Sequence, residues 1–328
     1  MSQKSNKFHL ETSTFHSSAG SIYIYQAHHQ THINTKDANL STYIFIKISL
    51  VAIIELKKED KMTGIRAAIA AILLTVFPLC AVAAPYSAIV IDADTGKVLH
   101  SENSNTRLHP AGLTKLATLY AAFSAIENEE VKIDDLVRVS QNAVETSPVN
   151  LELREGQRLS VRDLIRATAV KGASDAATAL AEAISGSEAP FAKRMNKTAK
   201  ELGMTRSTFK NPHGLTEKGH LSTARDMATM MQALYKAFPE YIHLLGQLNS
   251  TAAGKKIEHS AKRLLIDFEQ AILAKTGYTR AAGFNGVLLA ESGDRRLITV
   301  MFGGKSTKTM IAQISKLTTS GFIKAAGG

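Results

Sequence analysis

The stretch that most constrains the fold lies near the C-terminus, where apolar runs alternate with turn residues. Two such runs, 284–289 and 297–302, flank the turn Glu-Ser-Gly-Asp-Arg at 291–295. The tripeptide Lys275-Thr276-Gly277 stands just before them. Apolar runs bounded by Gly and Asp in this way predict antiparallel strands. We therefore predict a sheet with the tripeptide on an edge strand, where a glycine lets a ligand backbone approach closely.

Strand signals occur at both ends of the domain, and helical signals fill the middle. Residues 86–91 alternate and are followed by a turn at 92–96, whereas 309–325 shows apolar residues at helical spacing. Between these ends, residues 110–255 carry helical periodicity. Three helices of this section are predicted to begin at polar capping residues, which are Ser160, the pair Ser174-Asp175, and Ser222. This order predicts a single α/β (α+β) domain over 84–328.

The chain before residue 84 differs from the rest. Residues 1–61 show no sustained period, and we predict no fold for them. From Met62 onward, Arg66, an apolar run at 67–79 and the small residues Ala81-Val82-Ala83 are typical of a secretory signal peptide over 62–83. A membrane anchor is the alternative, but the apolar run is shorter than about 18 residues. The predicted signal suggests that residues 1–61 are a leader that results from a misassigned start codon, or a disordered leader.

Cysteine content and charge exclude several kinds of chemistry. The one cysteine, Cys80, lies inside the predicted signal, so the exported chain would have no disulfide, cysteine nucleophile or cysteine-ligated metal. The 39 basic and 29 acidic side chains are spread without a Lys/Arg run, and nucleic-acid binding is not indicated. His, Asp and Glu show no metal-ligand spacing, so we expect neither a metal nor another cofactor.

Short segments in a fixed order make the pattern specific. They read Ile-Asp-Ala-Asp-Thr-Gly-Lys-Val-Leu at 91–99, His-Pro-Ala-Gly-Leu-Thr-Lys at 109–115, Ala-Lys-Glu-Leu-Gly-Met at 199–204, Phe-Lys-Asn-Pro-His-Gly-Leu at 209–215 and Lys-Thr-Gly-Tyr-Thr at 275–279. In these segments the chain resembles the D-alanyl-D-alanine carboxypeptidases, the low-molecular-mass penicillin-binding serine peptidases. The resemblance implies a β-lactamase/transpeptidase-like fold, an antiparallel sheet flanked by helices with an all-helical subdomain. It also implies a periplasmic location and, as partner, a peptidoglycan stem peptide ending in D-Ala-D-Ala.

The resemblance also implies a reaction. In the family, an S-x-x-K motif places a nucleophilic Ser one helical turn before a Lys that accepts its proton. An S-x-N motif supplies a second hydroxyl and an amide that holds the substrate. The K-T-G strand binds the terminal carboxylate and docks the peptide as an added strand. Backbone N–H groups at the nucleophile and just after K-T-G form the oxyanion hole.

This chain departs from the family at the reacting positions. Gly112 stands where the nucleophile belongs, and Lys115 is retained as the general-base position. Gly172 and Ser174 occupy the two functional positions of S-x-N. The carboxylate-binding segment Lys275-Thr276-Gly277, followed by Tyr278, is intact. Thr114 lies roughly 200° around the helix from residue 112 and cannot replace the missing Ser.

The retained and lost residues predict a protein of wall metabolism whose catalysis is impaired. It would still bind wall peptides, or a partner such as an active carboxypeptidase or another wall enzyme. Two alternatives stay open. The protein could be an active serine-type carboxypeptidase that uses an unrecognised nucleophile, or it could be a structural domain without a ligand.

Overall fold

The computed structural model describes the strands Thr12–Ser17 and Gly20–Tyr25 and residues 85–327. The first two strands, β1 and β2, pair antiparallel with Thr12 opposite Tyr25. Sequence reasoning assigned no fold to this part and missed the pair. The rest of the predicted leader and the predicted signal peptide at 62–83 lie outside the described residues.

A five-stranded antiparallel sheet is formed from both ends of residues 85–327. Its strands are β3 (Ser87–Asp92), β4 (Val98–Glu102), β9 (Ala271–Thr279), β10 (Gly283–Ser292) and β11 (Arg295–Gly304). The spatial order is β4-β3-β11-β10-β9, so β9 is an edge strand. Ile91 pairs with Ile298, which joins the beginning of this region to its end. The predicted strands and the edge position of the K-T-G tripeptide are confirmed.

Alternate residues of the sheet pack against different layers. Ile89 and Ile91 belong to the large core shared with the helical section, whereas Val90 packs with Leu317 of the C-terminal helix Thr307–Ala326. This division follows from the two-residue period of a strand, which sends neighbouring side chains to opposite faces. Both faces are buried, so the sheet is held in place next to the helices that contribute to the site.

The helical section lies between β4 and β9. Its helices are Thr114–Glu127, Gln141–Glu145, Val161–Arg166, Ser174–Ser185, Glu188–Glu201, Ala224–Ala237, Pro239–Ile242 and Lys262–Asp267. It also contains two short strand pairs that the sequence did not predict, β5 (Leu136–Arg138) with β6 (Arg158–Ser160) and β7 (Asn249–Ala252) with β8 (Lys255–Glu258). None of the helices described is both long and apolar enough to cross a bilayer.

Of the predicted caps, one is confirmed and two are wrong. The Ser160 hydroxyl accepts the Asp163 N–H at 3.1 Å, as predicted. Ser174 is instead the first helical residue, and its side chain makes no capping bond. The cap predicted at Ser222 belongs to Thr223, whose hydroxyl accepts the Asp226 N–H. Ser222 does not cap the helix, because its backbone forms a β-bridge with Leu108 and its hydroxyl is hydrogen-bonded to that of Ser207 at 2.8 Å.

Candidate active-site cleft

A cavity of about 470 Å³ lies between the edge strand β9 and the helical section. Every site residue expected from the sequence lines it, although these residues are far apart in the chain. They are Gly112, Lys115, Gly172, Ser174, Lys275, Thr276, Gly277 and Tyr278. The fold therefore brings the remnants of three separate motifs to one place.

Gly112 faces the edge strand with no room for a side chain. It lies in the 3₁₀ turn Ala111–Leu113 that leads into the helix containing Lys115. A Cβ atom on residue 112 would lie 2.7 Å from the Thr276 carbonyl oxygen and 2.9 Å from Gly277 Cα. Both atoms belong to the backbone and cannot turn aside as a flexible side chain would. Gly112 has no side chain, and the edge strand occupies the space in which a Cβ atom would lie.

The contact is reciprocal, because Gly277 also lacks space for a side chain. A Cβ on residue 277 would lie 2.6 Å from Gly112 Cα. Gly214 presses on the same turn from another side, where an added Cβ would overlap the carbonyl oxygen of Ala111. Gly214 also has a φ of +83°, a conformation that favours glycine. The nucleophile position is thus enclosed by direct backbone contacts.

Lys115 is buried, and its amine is held by two neutral oxygen atoms. Its Nζ donates to the His213 carbonyl oxygen at 2.6 Å and to the Ser174 hydroxyl at 3.3 Å. Burial lowers the pKa of Lys115 to about 7, although the nearby Asp175 carboxylate acts in the opposite direction. Removing an ammonium from water disfavours its charged form, which explains the direction of the shift. The retained lysine is therefore a partly neutral amine at neutral pH.

Lys275 is also buried, with an exposed fraction of 0%. Its Nζ donates to the Ala169 carbonyl oxygen at 2.8 Å and to the Ser260 hydroxyl at 3.2 Å. Burial, together with the charge of Lys115, lowers the pKa of Lys275 well below its usual value. In this structure the K-T-G lysine connects the edge strand to the helical section.

The two altered S-x-N positions lie beside these lysines. Gly172 ends the π-helical turn Ala167–Lys171 with a φ of +76°. A Cβ there would lie 3.1 Å from Lys275 Nζ, so a serine at this position would be both strained and crowded. Ser174 is buried and offers its hydroxyl to Lys115. Lys115 and Ser174 thus form one of two amine–hydroxyl pairs in the cleft, the other being Lys275 and Ser260.

Asp175, which sequence reasoning assigned only to a helix cap, fixes a loop over the cleft. Its carboxylate accepts backbone N–H groups of Leu151 at 2.8 Å, of Leu153 at 3.3 Å and of Ala176 at 2.8 Å. Burial raises the pKa of Asp175, while the same backbone N–H groups act to lower it. The loop held in this way includes Val149, which lines the cavity. No sequence motif marks this role, since the loop and the helix meet only in three dimensions.

Thr114 is next to the nucleophile position but is engaged elsewhere. Its hydroxyl lies 2.9 Å from Nε2 of His220, an arrangement that resembles a nucleophile and its base. However, His220 Nδ1 accepts the Lys210 N–H, so Nε2 carries the ring proton and donates to Thr114. Burial and nearby positive charges lower the pKa of His220 to about 3, which makes it a poor base. The pair is a structural hydrogen bond.

Other cleft residues carried no sequence signal. His259 is buried and lines the cavity, and burial together with Lys275 lowers its pKa to about 3. Its Nδ1 accepts the Ala261 N–H, and its Nε2 has no partner among the described residues. Tyr278, which the sequence did predict as a site residue, packs on Phe284 with ring centroids 4.4 Å apart. The lining of the cleft therefore includes polar, cationic and aromatic side chains.

Comparison with known proteins defines the class to which this fold and site belong. The family model for D-alanyl-D-alanine carboxypeptidases matches residues 79–306. The D-alanyl-D-alanine carboxypeptidase DacF of Bacillus subtilis is 38% identical over 70% of this chain and 60% of its own length. DacC of Escherichia coli is 36% identical over 71% of this chain and 60% of its own length. The chain belongs to the D-alanyl-D-alanine carboxypeptidase family.

Solved structures agree with that assignment. Penicillin binding protein 5 from Haemophilus influenzae superposes with a TM-score of 0.68 at 30% identity, covering 72% of this chain and 70% of that one. Penicillin-binding protein D2 from Listeria monocytogenes in its ampicillin-bound form gives 0.66 at 29% identity, covering 72% and 96%. The predicted fold class is confirmed. The chain spans about 60% of the length of the curated relatives it matches.

Proposed function

We propose that this protein binds peptidoglycan stem peptides ending in D-Ala-D-Ala but is impaired in cleaving them. The observation that carries the proposal is the backbone contact of Gly112 with Thr276 and Gly277, at the position where the family places its nucleophile. A residue without a side chain cannot form an acyl-enzyme ester. Loss of an activated nucleophile typically lowers turnover by about 10⁶.

The cationic cleft supports retained binding of a carboxylate. Lys115 and Lys275 are both buried within it, and Lys171 and Arg263 also line it. The acidic lining residue Glu258 is paired with Lys262 at 2.9 Å. A ligand carboxylate would be attracted by Lys171 and Arg263 and would stabilise the charged forms of the two buried lysines. The edge strand, with Tyr278 at its end, supplies backbone groups for an extended peptide.

The lowered pKa of Lys275 gives the proposed binding a specific signature. A carboxylate placed against Lys275 would favour its charged form, so binding would be coupled to proton uptake. The affinity should then weaken as the pH rises. A structural domain without a ligand would show no such coupling.

We expect Lys275→Met to weaken binding of acetylated L-Lys-D-Ala-D-Ala by about tenfold or more, because a charge-assisted hydrogen bond contributes about 1.5–3 kcal/mol. Titration calorimetry in buffers of different ionisation enthalpy measures the affinity and the protons taken up. Lys197→Met is the matched control, because that side chain is 80% exposed on the helix Glu188–Glu201.

Because Lys275 also connects the strand to the helical section, its substitution could weaken the fold. The same peptide with an amidated C-terminus provides a test that needs no variant. The proposal requires the amidated peptide to bind more weakly than the free acid. Equal binding of the two peptides, or no binding of either, would contradict it and favour a domain without this ligand.

A second candidate is retained carboxypeptidase activity through Ser174. It is favoured by the 3.3 Å hydrogen bond from Lys115 Nζ to the Ser174 hydroxyl and by the lowered pKa of Lys115. We rank it second because Ser174 is buried and stands where the family holds its substrate amide. Mapping an acyl ester to Ser174 by mass spectrometry would make it the better account.

Export to the periplasm is part of the same proposal. It is motivated by the signal-like sequence at 62–83, with 84–328 as the exported domain and residues 1–61 as a leader that results from a misassigned start codon. N-terminal sequencing of the exported protein should begin at Ala84. An active carboxypeptidase or another wall enzyme remains the proposed partner.

A further inference from the structure

We propose that Lys115 Nζ is a nucleophilic amine that forms a Schiff base with small aldehydes or ketones carrying an acid group. This inference goes beyond the proposed function, because peptide binding uses the edge strand and needs no covalent step. It rests on the position of a buried amine at the wall of an accessible cavity in which the family's hydroxyl nucleophile is absent.

Among the described residues, no carboxylate forms a direct ion pair with the amine of Lys115. Its hydrogen-bond acceptors are the carbonyl oxygen of His213 and the hydroxyl of Ser174, both neutral. Within residues 85–327, Lys115 forms no salt bridge. The nearby carboxylate of Asp175 is occupied by backbone N–H groups, including that of Leu151 at 2.8 Å. The charge of Asp175 favours the protonated amine, but burial outweighs it.

A second buried lysine strengthens the argument. Lys275 lines the same cavity, and its positive charge would be unfavourable beside that of Lys115. An amine that is desolvated and close to another cationic group becomes a nucleophile at neutral pH. Lys275 Nζ also donates to two oxygen atoms, but its side chain has no exposed surface, whereas Lys115 keeps an exposed fraction of 3%. Lys115 is therefore the amine we assign to the reaction.

The proposed step balances without any further reactant. The lone pair of neutral Nζ attacks the carbonyl carbon, and a carbon–nitrogen bond forms. The nitrogen loses its protons as the carbonyl oxygen gains them, and that oxygen leaves as water to give the imine. The Ser174 hydroxyl, 3.3 Å from Nζ, is placed to pass a proton between the two atoms. Lys171 and Arg263, which line the cavity, would attract the acid group.

The pH dependence follows from the groups around Lys115. Asp175 favours the protonated form of Lys115, the charge of Lys115 disfavours that of Lys275, and the nearby His213 lies 3.6 Å from Glu188. Burial dominates and lowers the pKa of Lys115 to about 7. Exposed lysines have a pKa of about 10.4 and are almost fully protonated at neutral pH. Lys115 should therefore react at a pH where surface lysines are nearly inert.

The test is reductive trapping on the full chain with glyoxylate and cyanoborohydride, followed by peptide mapping. At neutral pH we expect Lys115 to be modified about tenfold faster than Lys197, with a rate midpoint near pH 7. Acetaldehyde, which lacks the acid group, should modify Lys115 more slowly than glyoxylate does. Lys115→Met should remove the fast phase and leave the slow modification of exposed lysines unchanged.

The mapping on the unmodified sequence decides the question even if Lys115→Met fails to fold. Fast modification at Lys275 instead of Lys115 would overturn the assignment. So would modification spread evenly over exposed lysines, or a midpoint close to that of an ordinary lysine. None of these results depends on whether the chain binds D-Ala-D-Ala peptides, so this inference and the proposed function can fail separately.

Discussion

Gly112→Ser lowers the free energy of unfolding by about 2 kcal/mol in this account, even though it restores the family's residue. Inserting atoms into a well-packed region costs about 1–3 kcal/mol, and the contacts here are at the severe end. The new Cβ would lie 2.7 Å from the Thr276 carbonyl oxygen and 2.9 Å from Gly277 Cα. Replacing a glycine in a helix stabilises the helix by about 1 kcal/mol at most, so the net effect of the substitution is still destabilising.

Gly112→Ala is the matched control for this prediction, because it adds the same Cβ without a hydroxyl. Both variants should show nearly equal loss of stability in urea unfolding. The loss then reports the contact with the edge strand and not the polarity of the side chain. A serine variant with unchanged stability that reacts readily with penicillin would show that the strand moves aside more easily than we infer.

Asp175→Ala is expected to cost about 4 kcal/mol, the largest effect of any substitution proposed for this cleft. Its carboxylate accepts N–H groups from Leu151, Leu153 and Ala176. Each buried donor left without a partner costs about 1–3 kcal/mol, and hydrogen bonds to a charged acceptor are at the upper end. Part of the cost would be recovered if water entered the space left by the carboxylate.

Asp134→Ala provides the control for Asp175→Ala. Asp134 is 74% exposed and pairs with Arg162 at the surface, so its removal should cost about 1 kcal/mol or less. Hydrogen exchange should also show faster exchange of the Leu151 amide in Asp175→Ala. If the two variants lost equal stability, or if the Leu151 amide stayed protected, Asp175 would not hold the loop as described.

Much of the fold could be predicted from local patterns. The strand Ser87–Asp92 alternates, and the helix Thr307–Ala326 shows apolar residues at helical spacing, so both were recognisable. The short pair formed by Leu136–Arg138 and Arg158–Ser160 was missed, because three residues are too few to show a period. Its existence depends on pairing across a long sequence separation, which no local window contains.

The sequence identified residues that line the cleft, but it did not predict their burial or their contacts. The absence of a hydroxyl at Gly112 is a fact of the sequence, and the fold places that residue beside Gly277 as the motif order implied. The burial of Lys275 was not foreseen, because it arises from contacts with Ala169 and Ser260 in distant segments. Its binding role was inferred from the motif alone, and the structure adds that binding must compete with these contacts.

The direct contact between Gly112 and Gly277 was equally beyond sequence reasoning. Glycine at both positions permits two backbones to touch but does not require it. The contact depends on how the turn before Lys115 packs against β9, which only the folded chain specifies. This is why the sequence favoured impaired catalysis from a missing atom alone, whereas the structure adds that the place for that atom is filled.

The most direct test of the central claim is the reaction of the purified protein with a fluorescent penicillin. An acyl ester on a hydroxyl is released by hydroxylamine, whereas an amide on a lysine is not, so the linkage can be identified. We predict that no hydroxylamine-labile adduct forms, while an active carboxypeptidase treated in parallel is labelled. A stable penicilloyl ester on the unmodified chain, mapped by mass spectrometry to any serine or threonine, would contradict the account.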